Sequence, residues 1–302
     1  MIIFLVAYVG VVTHIHGAPL PSGVKAYLVK YGYLSSPGKH SYNELQTAIS
    51  DFQDDVGLKV TGKLSDSTIK LMTKPRCGNL EPHHHSSAST DDRTRRKRFV
   101  PHQRRWPRSV LTWKINDPQT ILKPYDMYMV RNALTRAFDS WASAAGYTIR
   151  FFETPANSDF NTDITVFFAR HFHNDTLPFD GPDGVVAHGF YPTNGNLHFD
   201  ADERWTLNMH NGINLYQTAM HEIGHLLGLK HSANSRAVMF PLNRPYDPEF
   251  RLSDDDVRGI RYLYMPWAWN YYLQQYTNRW KKTSDKHNDR RSKRPEMDFK
   301  RT

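Results

Sequence analysis

The segment HEIGHLLGLKH carries three histidines whose spacing suits one metal ion. His221 and His225 are four residues apart, so on a helix both imidazoles project from the same face, within reach of a single zinc ion. Glu222 follows the first histidine and could contact a water molecule at the metal without ligating the metal itself. A carboxylate placed in this way can act as a general base, so the pattern predicts hydrolytic chemistry.

The third histidine of this segment requires the chain to turn back. On a continuous helix, His231 would lie about 9 Å beyond His225, because each residue rises about 1.5 Å. Gly228 lies between them, and glycine readily adopts the left-handed conformation that ends a helix. We therefore expect His231 to be a third ligand, leaving a fourth position on the zinc open.

The only cysteine of the chain, Cys77, lies in the segment KPRCGNLEP and cannot form a disulfide within this chain. A buried small hydrophobic residue is one interpretation of a lone cysteine. A thiolate that binds a metal is the other.

The order of elements predicts two folded units joined by a polar linker. Residues 24–74 show helical spacing of apolar side chains, and Ser65 is placed to cap a short helix. From Val110 onward, strands (SVLTWKI, YTIRFFE, DITVFFA) accompany a long amphipathic helix, a helix around His221 and a last helix that Ser253 caps. The linker ends in the basic run RRKR, residues 95–98, typical of sites that furin-like secretory proteases cut.

Composition and the two ends of the chain place further limits on its class. Hydrophobic residues make up 39% of the chain, enough for a sizeable core, and the net charge of +9 is concentrated near the linker and in the C-terminal tail. The apolar start predicts a signal peptide over residues 1–17; a membrane anchor is the alternative, but the run is shorter than the roughly 20 residues that cross a bilayer.

The complete HExxHxxGxxH pattern, with Ser232 after the third histidine and Met239 eight residues beyond it, resembles the metzincin proteases and among them the matrix metalloproteinases. The resemblance implies an α+β catalytic domain with a mixed, mostly parallel twisted sheet and three helices, preceded by a small all-α prodomain. It also implies that Met239 forms an apolar floor beneath the metal and that Gln217 lies at a specificity pocket.

The PRCG segment is similar to the switch motif of the same family. There the cysteine binds the catalytic zinc in the latent enzyme, which implies this role for Cys77 until the chain is cut after Arg98. Arg76 is implied to pair with Glu81, although Asn79, Leu80 and Glu81 stand where the family typically has Val, Pro and Asp.

The segment from Arg170 to Trp205 strengthens the resemblance and implies two more metal sites. A structural zinc is implied at His173, Asp175, His188 and His198. A calcium site is implied at the carboxylates of Asp180, Asp200 and Glu203 and the backbone carbonyls of Gly181, Asp183 and Val185.

Together these patterns predict a signal peptide (1–17), a helical prodomain (18–98), a catalytic domain (99–265) and an aromatic, then basic, tail (266–302) in place of the family's propeller domain. We expect a secreted, monomeric zinc endopeptidase that cleaves extracellular matrix, collagen included, or other extracellular proteins, is activated by a furin-like protease and does not bind nucleic acid. The tail is either a solvated segment or an anchor to sulfated glycosaminoglycan or another anionic surface.

Two alternatives remain open at this point. One is a non-catalytic, metal-stabilised matrix-binding protein with the same fold, which Glu222 and three intact histidines oppose. The other is a metzincin of a different branch, astacin-like or reprolysin-like, which Ser232, the second zinc loop and the prodomain oppose.

Overall fold

The computed structural model describes residues 22–35, 37–81, 104–117, 121–155 and 161–265. The predicted signal peptide, the cleavage site at Arg98 and the C-terminal tail lie outside the described residues. Within the described ranges, no helix is both long enough and apolar enough to cross a membrane.

The N-terminal unit contains three helices, α1 (Ser22–Lys30), α2 (Tyr42–Asp55) and α3 (Asp66–Met72). Ser41 and Glu44 form a reciprocal capping box at the start of α2, and the side chain of Ser65 caps α3 as predicted. The apolar faces of the helices meet in a small core around Leu28 and Phe52, both fully buried. The prediction of a helical prodomain is confirmed.

The second unit is built on a six-stranded sheet. Its strands and helices, in chain order with the prodomain strand that joins it, are β1 (Arg76–Cys77), β2 (Val110–Ile115), α4 (Pro124–Ala144), β3 (Arg150–Glu153), β4 (Ile164–Ala169), β5 (Val185–Gly189), β6 (Asn196–Asp200), a small β7/β8 pair (Trp205–Thr206 and Ile213–Asn214), α5 (Leu215–Leu226) and α6 (Asp254–Tyr264). The sheet order is β1-β5-β6-β4-β2-β3. Only the β5–β6 pair in this sheet is antiparallel, so the predicted mixed, mostly parallel sheet is confirmed.

Helices α4 and α5 pack against each other and enclose the main core. Trp141 of α4 is fully buried, and its indole N–H donates to the carbonyl of Met220 on α5 over 2.8 Å. Ser253 caps α6 together with Asp256 in a capping box, as the sequence predicts for this serine. Three helices therefore accompany the sheet in this part of the described chain, in agreement with the sequence.

The prodomain also contributes strand β1, which an all-helical prediction does not include. Backbone N–H groups of Arg76 and Gly78 donate to the carbonyls of Gly184 and Ala187, so β1 runs parallel to β5. An edge strand exposes unpaired backbone groups that any extended segment can satisfy. The physical cause of β1 is therefore the open edge of β5, which the local sequence around Cys77 does not reveal.

Candidate active site and metal centres

Helix α5 carries four of the predicted site residues, all of them buried: Gln217, His221, Glu222 and His225. Asn214 caps the helix by accepting the N–H of Gln217 over 3.0 Å, and the helix ends at Leu226. Gly228 follows with a φ of 96°, where a Cβ atom would lie 2.7 Å from the carbonyl of Arg104. The predicted chain reversal at this glycine is confirmed, and it brings His231 back toward His221 and His225.

The three histidine rings present nitrogen lone pairs to one another. Each Nδ1 atom donates to an oxygen that can only accept: the carbonyl of Val238 for His221, the carbonyl of Leu229 for His225, and the carboxylate of Glu81 for His231, over 2.7, 2.7 and 2.9 Å. With the proton on Nδ1, the Nε2 atom of a neutral imidazole is the atom that keeps the lone pair.

The Nε2 atom of His225 lies 3.1 Å from that of His221 and 3.1 Å from that of His231. Burial lowers the pKa of His221 to about 3, so protonation does not relieve this arrangement. Converging lone pairs fit a cation placed between them, and imidazole nitrogens suit zinc.

Cys77 completes the cluster from the prodomain side. Its Sγ atom lies 3.5 Å from the Nε2 atom of His225, and the four potential ligand atoms all lie within 4.8 Å of one another. Burial, together with the adjacent Glu222, raises the pKa of the thiol. A thiolate here needs a cation beside it, and three nitrogens with one sulfur form a closed tetrahedral zinc set.

Glu222 lies beside the cluster, and in the described part of the chain only one of its two carboxylate oxygens forms a hydrogen bond with another side chain. Its Oε2 atom is 3.5 Å from the Sγ atom of Cys77, whereas Oε1 is buried with no hydrogen-bond partner among the described residues. Burial raises the pKa of this carboxyl to about 8. A buried carboxyl group with one oxygen free of hydrogen bonds and a pKa near neutrality is suited to accept and donate a proton.

Arg76 and Glu81, which the sequence predicts to pair, are joined over 2.5 Å. The guanidinium of Arg76 is fully buried, donates to the hydroxyl of Tyr27 over 3.0 Å and lies 4.2 Å from the ring centroid of Tyr31. Burial raises the pKa of Glu81, but His231 and Arg76 outweigh it and bring that pKa to about 2. Glu81 is therefore ionised between two donors.

Asn79 is a site residue that the sequence reasoning missed, having noted it only as a departure from the family pattern. Its amide group donates to the carbonyl of Gly189 over 2.7 Å and accepts the N–H of Gly189 over 3.2 Å. The side chain thus pairs with the end of β5 as a backbone peptide group would. A carboxamide has the donor and acceptor geometry of a peptide bond, which is the signal that could have identified it.

A second cluster, formed by His173, Asp175, His188 and His198, lies where β5 and β6 pair. His188 and His198 are directly opposite in the antiparallel register, with their ring nitrogens 3.0 Å apart. The Oδ2 atom of Asp175 lies 3.0, 2.9 and 2.8 Å from nitrogens of His173, His188 and His198. One carboxylate oxygen shared by three imidazoles is the donor set of a closed zinc site.

The predicted calcium ligands lie in two segments, one that leads into β5 and one at the end of β6. Asp180 accepts the N–H of Val185 over 2.7 Å, and Glu203 accepts the N–H of Asp183 over 2.9 Å. The Oδ2 atom of Asp200 is buried without a hydrogen-bond partner among the described residues. Burial and the neighbouring carboxylates of Asp200 and Asp183 raise the pKa of Glu203 to about 7. Carboxylate oxygens suit a hard cation such as calcium, and the calcium site stays a prediction. The role of the backbone carbonyls of Gly181, Asp183 and Val185 as calcium ligands stays a prediction.

A pocket opens beside His221 and Glu222 and is closed by the loop after Met239. Gln217 lines it with a buried side chain that accepts the N–H of Asp247 over 2.6 Å and donates to the carbonyl of Pro245 over 3.1 Å. Gln217 therefore connects α5 through two hydrogen bonds to the pocket loop, which contains Pro245 and Asp247. Met239 packs so closely on α5 that a Cβ atom on Gly224 would lie 2.2 Å from its sulfur.

Comparisons with known proteins agree with this arrangement. The model of the matrixin family matches residues 105–265, and that of the putative peptidoglycan binding domain matches residues 22–72. Matrix metalloproteinase-16 of Homo sapiens is 36% identical over 265 residues, covering 80% of this chain and 41% of its own length. The hatching enzyme of Paracentrotus lividus is 36% identical over 250 residues, covering 80% of this chain and 38% of its own length. Metalloendoproteinase 1-MMP of Arabidopsis thaliana is 36% identical over 268 residues, covering 84% of this chain and 70% of its own length.

The chain belongs to the matrixin family, a family of zinc-dependent metallopeptidases. It spans about two fifths of the length of the human relative and more than two thirds of the plant relative. The predicted family and fold class are confirmed, and the prodomain prediction agrees with the separate match over residues 22–72.

Proposed function

We propose that this chain is the latent precursor of a zinc endopeptidase, with the catalytic metal bound by His221, His225 and His231 and closed off by Cys77. The observation that carries the proposal is the convergence of three Nε2 lone pairs beside a buried carboxylate that has an unpartnered oxygen. A structural protein would not need a desolvated base at that position.

In the mature enzyme, zinc would supply a Lewis acid for the scissile carbonyl. Glu222 would take a proton from the attacking water and deliver it to the leaving amine. The carbonyls of Val238 and Leu229 hold His221 and His225 in the tautomer that binds a metal. The edge of β5, including the N–H and C=O groups of Gly189, would bind the substrate backbone once the prodomain segment leaves.

The pocket beside His221 would receive the side chain after the cut. Its lining is largely apolar, with Val186, Val238 and Leu242 among its walls, which favours an apolar substrate residue. We propose Gln217 as the residue that fixes the pocket loop, and Met239 as the floor beneath the metal.

The remaining assignments extend this proposal. A structural zinc would bind at His173, Asp175, His188 and His198, and calcium between the segment before β5 that contains Asp180 and the end of β6 with Asp200 and Glu203. We further propose a secreted precursor with the domain boundaries predicted above, cleaved after Arg98 by a furin-like protease. Extracellular proteins would be its substrates, and the basic tail would bind sulfated glycosaminoglycan or an anionic surface.

The proposal is tested with the full-length chain and a quenched fluorescent peptide carrying an apolar residue after the cleavable bond. Turnover should emerge after treatment with a furin-like protease and disappear when a zinc chelator is added. A matched chain with Arg95 to Arg98 replaced by alanine should stay latent under the same treatment. If the processed chain shows no chelator-sensitive turnover, the alternative of a metal-stabilised binding protein is favoured.

A further inference from the structure

The three metal-binding histidines differ in where their outer ring nitrogens find acceptors. The Nδ1 atoms of His221 and His225 donate to carbonyls of the catalytic unit. The Nδ1 atom of His231 donates over 2.9 Å to Glu81, which belongs to the prodomain segment. One of the three orienting hydrogen bonds therefore leaves with the prodomain.

The contact between Glu81 and His231 is buried and electrostatically supported. The two side chains are only 4% and 6% exposed, so water does not compete for the hydrogen bond. The same oxygen of Glu81 accepts from Arg76 over 2.5 Å, and Arg76 is itself held by the hydroxyl of Tyr27. The carboxylate is thus fixed between a metal ligand and a buried guanidinium.

A carboxylate that accepts from a metal-bound histidine orients the ring and makes its other nitrogen a better donor to the metal. Loss of such a partner typically costs about 10–100-fold in metal affinity. In this chain the partner is a glutamate, whose extra methylene relative to the aspartate expected by resemblance moves the carboxylate about 1.5 Å further from the backbone.

We propose that Glu81 is a positioning residue for His231, so that the prodomain holds the catalytic metal at two points: directly through Cys77 and indirectly through His231. This inference rests on the proposed function, since it assumes a zinc ion at the histidine cluster. It adds that the latent form binds zinc more tightly than the processed form by more than the loss of the Cys77 ligand alone would explain. Processing would then weaken metal binding as well as open the site.

The test measures zinc release from the full-length latent chain into an excess of a chromogenic chelator. Glu81→Ala should release the catalytic zinc about 10–100-fold faster than the wild type. Glu81→Gln keeps an acceptor for His231 and should recover part of the difference, whereas Glu81→Asp should behave like the alanine variant. Asn79→Ala is the matched control, because it removes hydrogen bonds of the same segment, including both to Gly189, without touching His231.

A spectroscopic arm separates positioning of His231 from a general loosening of the segment. In the cobalt-substituted precursor, the sulfur-to-metal charge-transfer band should persist in Glu81→Gln while the ligand-field bands shift. Release at the wild-type rate in Glu81→Ala, release equally fast in Asn79→Ala, or loss of the charge-transfer band in Glu81→Gln would each overturn the inference. If the wild-type precursor itself binds no zinc and shows no such band, the proposed function fails instead.

Discussion

The thiol of Cys77 lies 3.5 Å from the carboxylate of Glu222 as well as 3.5 Å from the Nε2 atom of His225. One side chain therefore lies where a fourth metal ligand would bind and also contacts the candidate base. Because of this double contact, the two-residue strand β1 can block both the metal position and the candidate base without a larger segment.

Replacing Cys77 with serine should unlock the precursor. A hydroxyl is a much weaker ligand for zinc than a thiolate, so Cys77→Ser should hydrolyse the quenched peptide before any cleavage. Activity of the uncut variant, verified as uncut by mass spectrometry, is the measurement. If the variant stays latent, steric cover by the docked prodomain is the lock and the thiol is not.

Glu222→Gln should remove turnover and leave the metal in place. The amide has nearly the same shape but cannot accept the proton, and general-base catalysis contributes about 10²–10⁴-fold. We therefore expect kcat/KM of the processed enzyme to fall by at least about 10²-fold at unchanged zinc content. Turnover near the wild-type rate would exclude Glu222 as the base.

His188→Ala should destabilise the catalytic unit. His188 is fully buried in the second cluster, and removing a buried hydrogen-bond partner of the Asp175 carboxylate costs about 3 kcal/mol. Each kcal/mol corresponds to about 2–4 °C in a domain of this size, so the unfolding midpoint should fall by about 6 °C or more, with loss of one bound zinc.

The matched control for that variant is His171→Ala in the same loop. The His171 side chain is 72% exposed, while its backbone carbonyl, which accepts from His173, is retained. His171→Ala should change neither the midpoint of thermal unfolding nor the amount of bound zinc. Equal destabilisation by both changes would show that the loop, rather than a metal, stabilises this region.

Asp55→Asn should stabilise the latent form near neutral pH. One carboxylate oxygen of Asp55 is buried without a hydrogen-bond partner among the described residues, and burial raises the pKa of the group well above its ordinary value. The folded state then binds the proton more tightly than the unfolded state. The contribution of Asp55 to the free energy of unfolding therefore falls as pH rises from about 4 toward the pKa of the folded state.

Chemical denaturation of the latent precursor at pH 5 and pH 7 checks this sign. The wild type should lose stability between the two values relative to Asp55→Asn, which lacks the titration. A wild type that gains stability over that range, relative to the variant, would contradict a raised pKa at Asp55.

The histidine pattern predicted the local geometry well because it depends on a helix and one glycine. Four-residue spacing on α5 and the reversal at Gly228 are local properties, and both are present in the structure. The opposition of His188 and His198 instead depends on strand register, which the structure shows. The resemblance implied these two residues as ligands but not their register.

What the sequence could not predict are contacts between distant segments. Residue types around Cys77 do not reveal that Asn79 pairs with Gly189 or that Glu81 reaches His231, because each contact joins residues more than 100 positions apart. These contacts follow from the docking of one unit on another, and local propensity carries no information about docking.

The parallel pairing of β1 with β5 has a consequence for solubility. Without the prodomain, β5 would become an edge strand with unpaired N–H and C=O groups, and such edges invite pairing with strands of other chains. In the structure, β1 covers this edge. We expect that removal of the prodomain would expose this strand edge next to the candidate active site and favour its pairing with other chains.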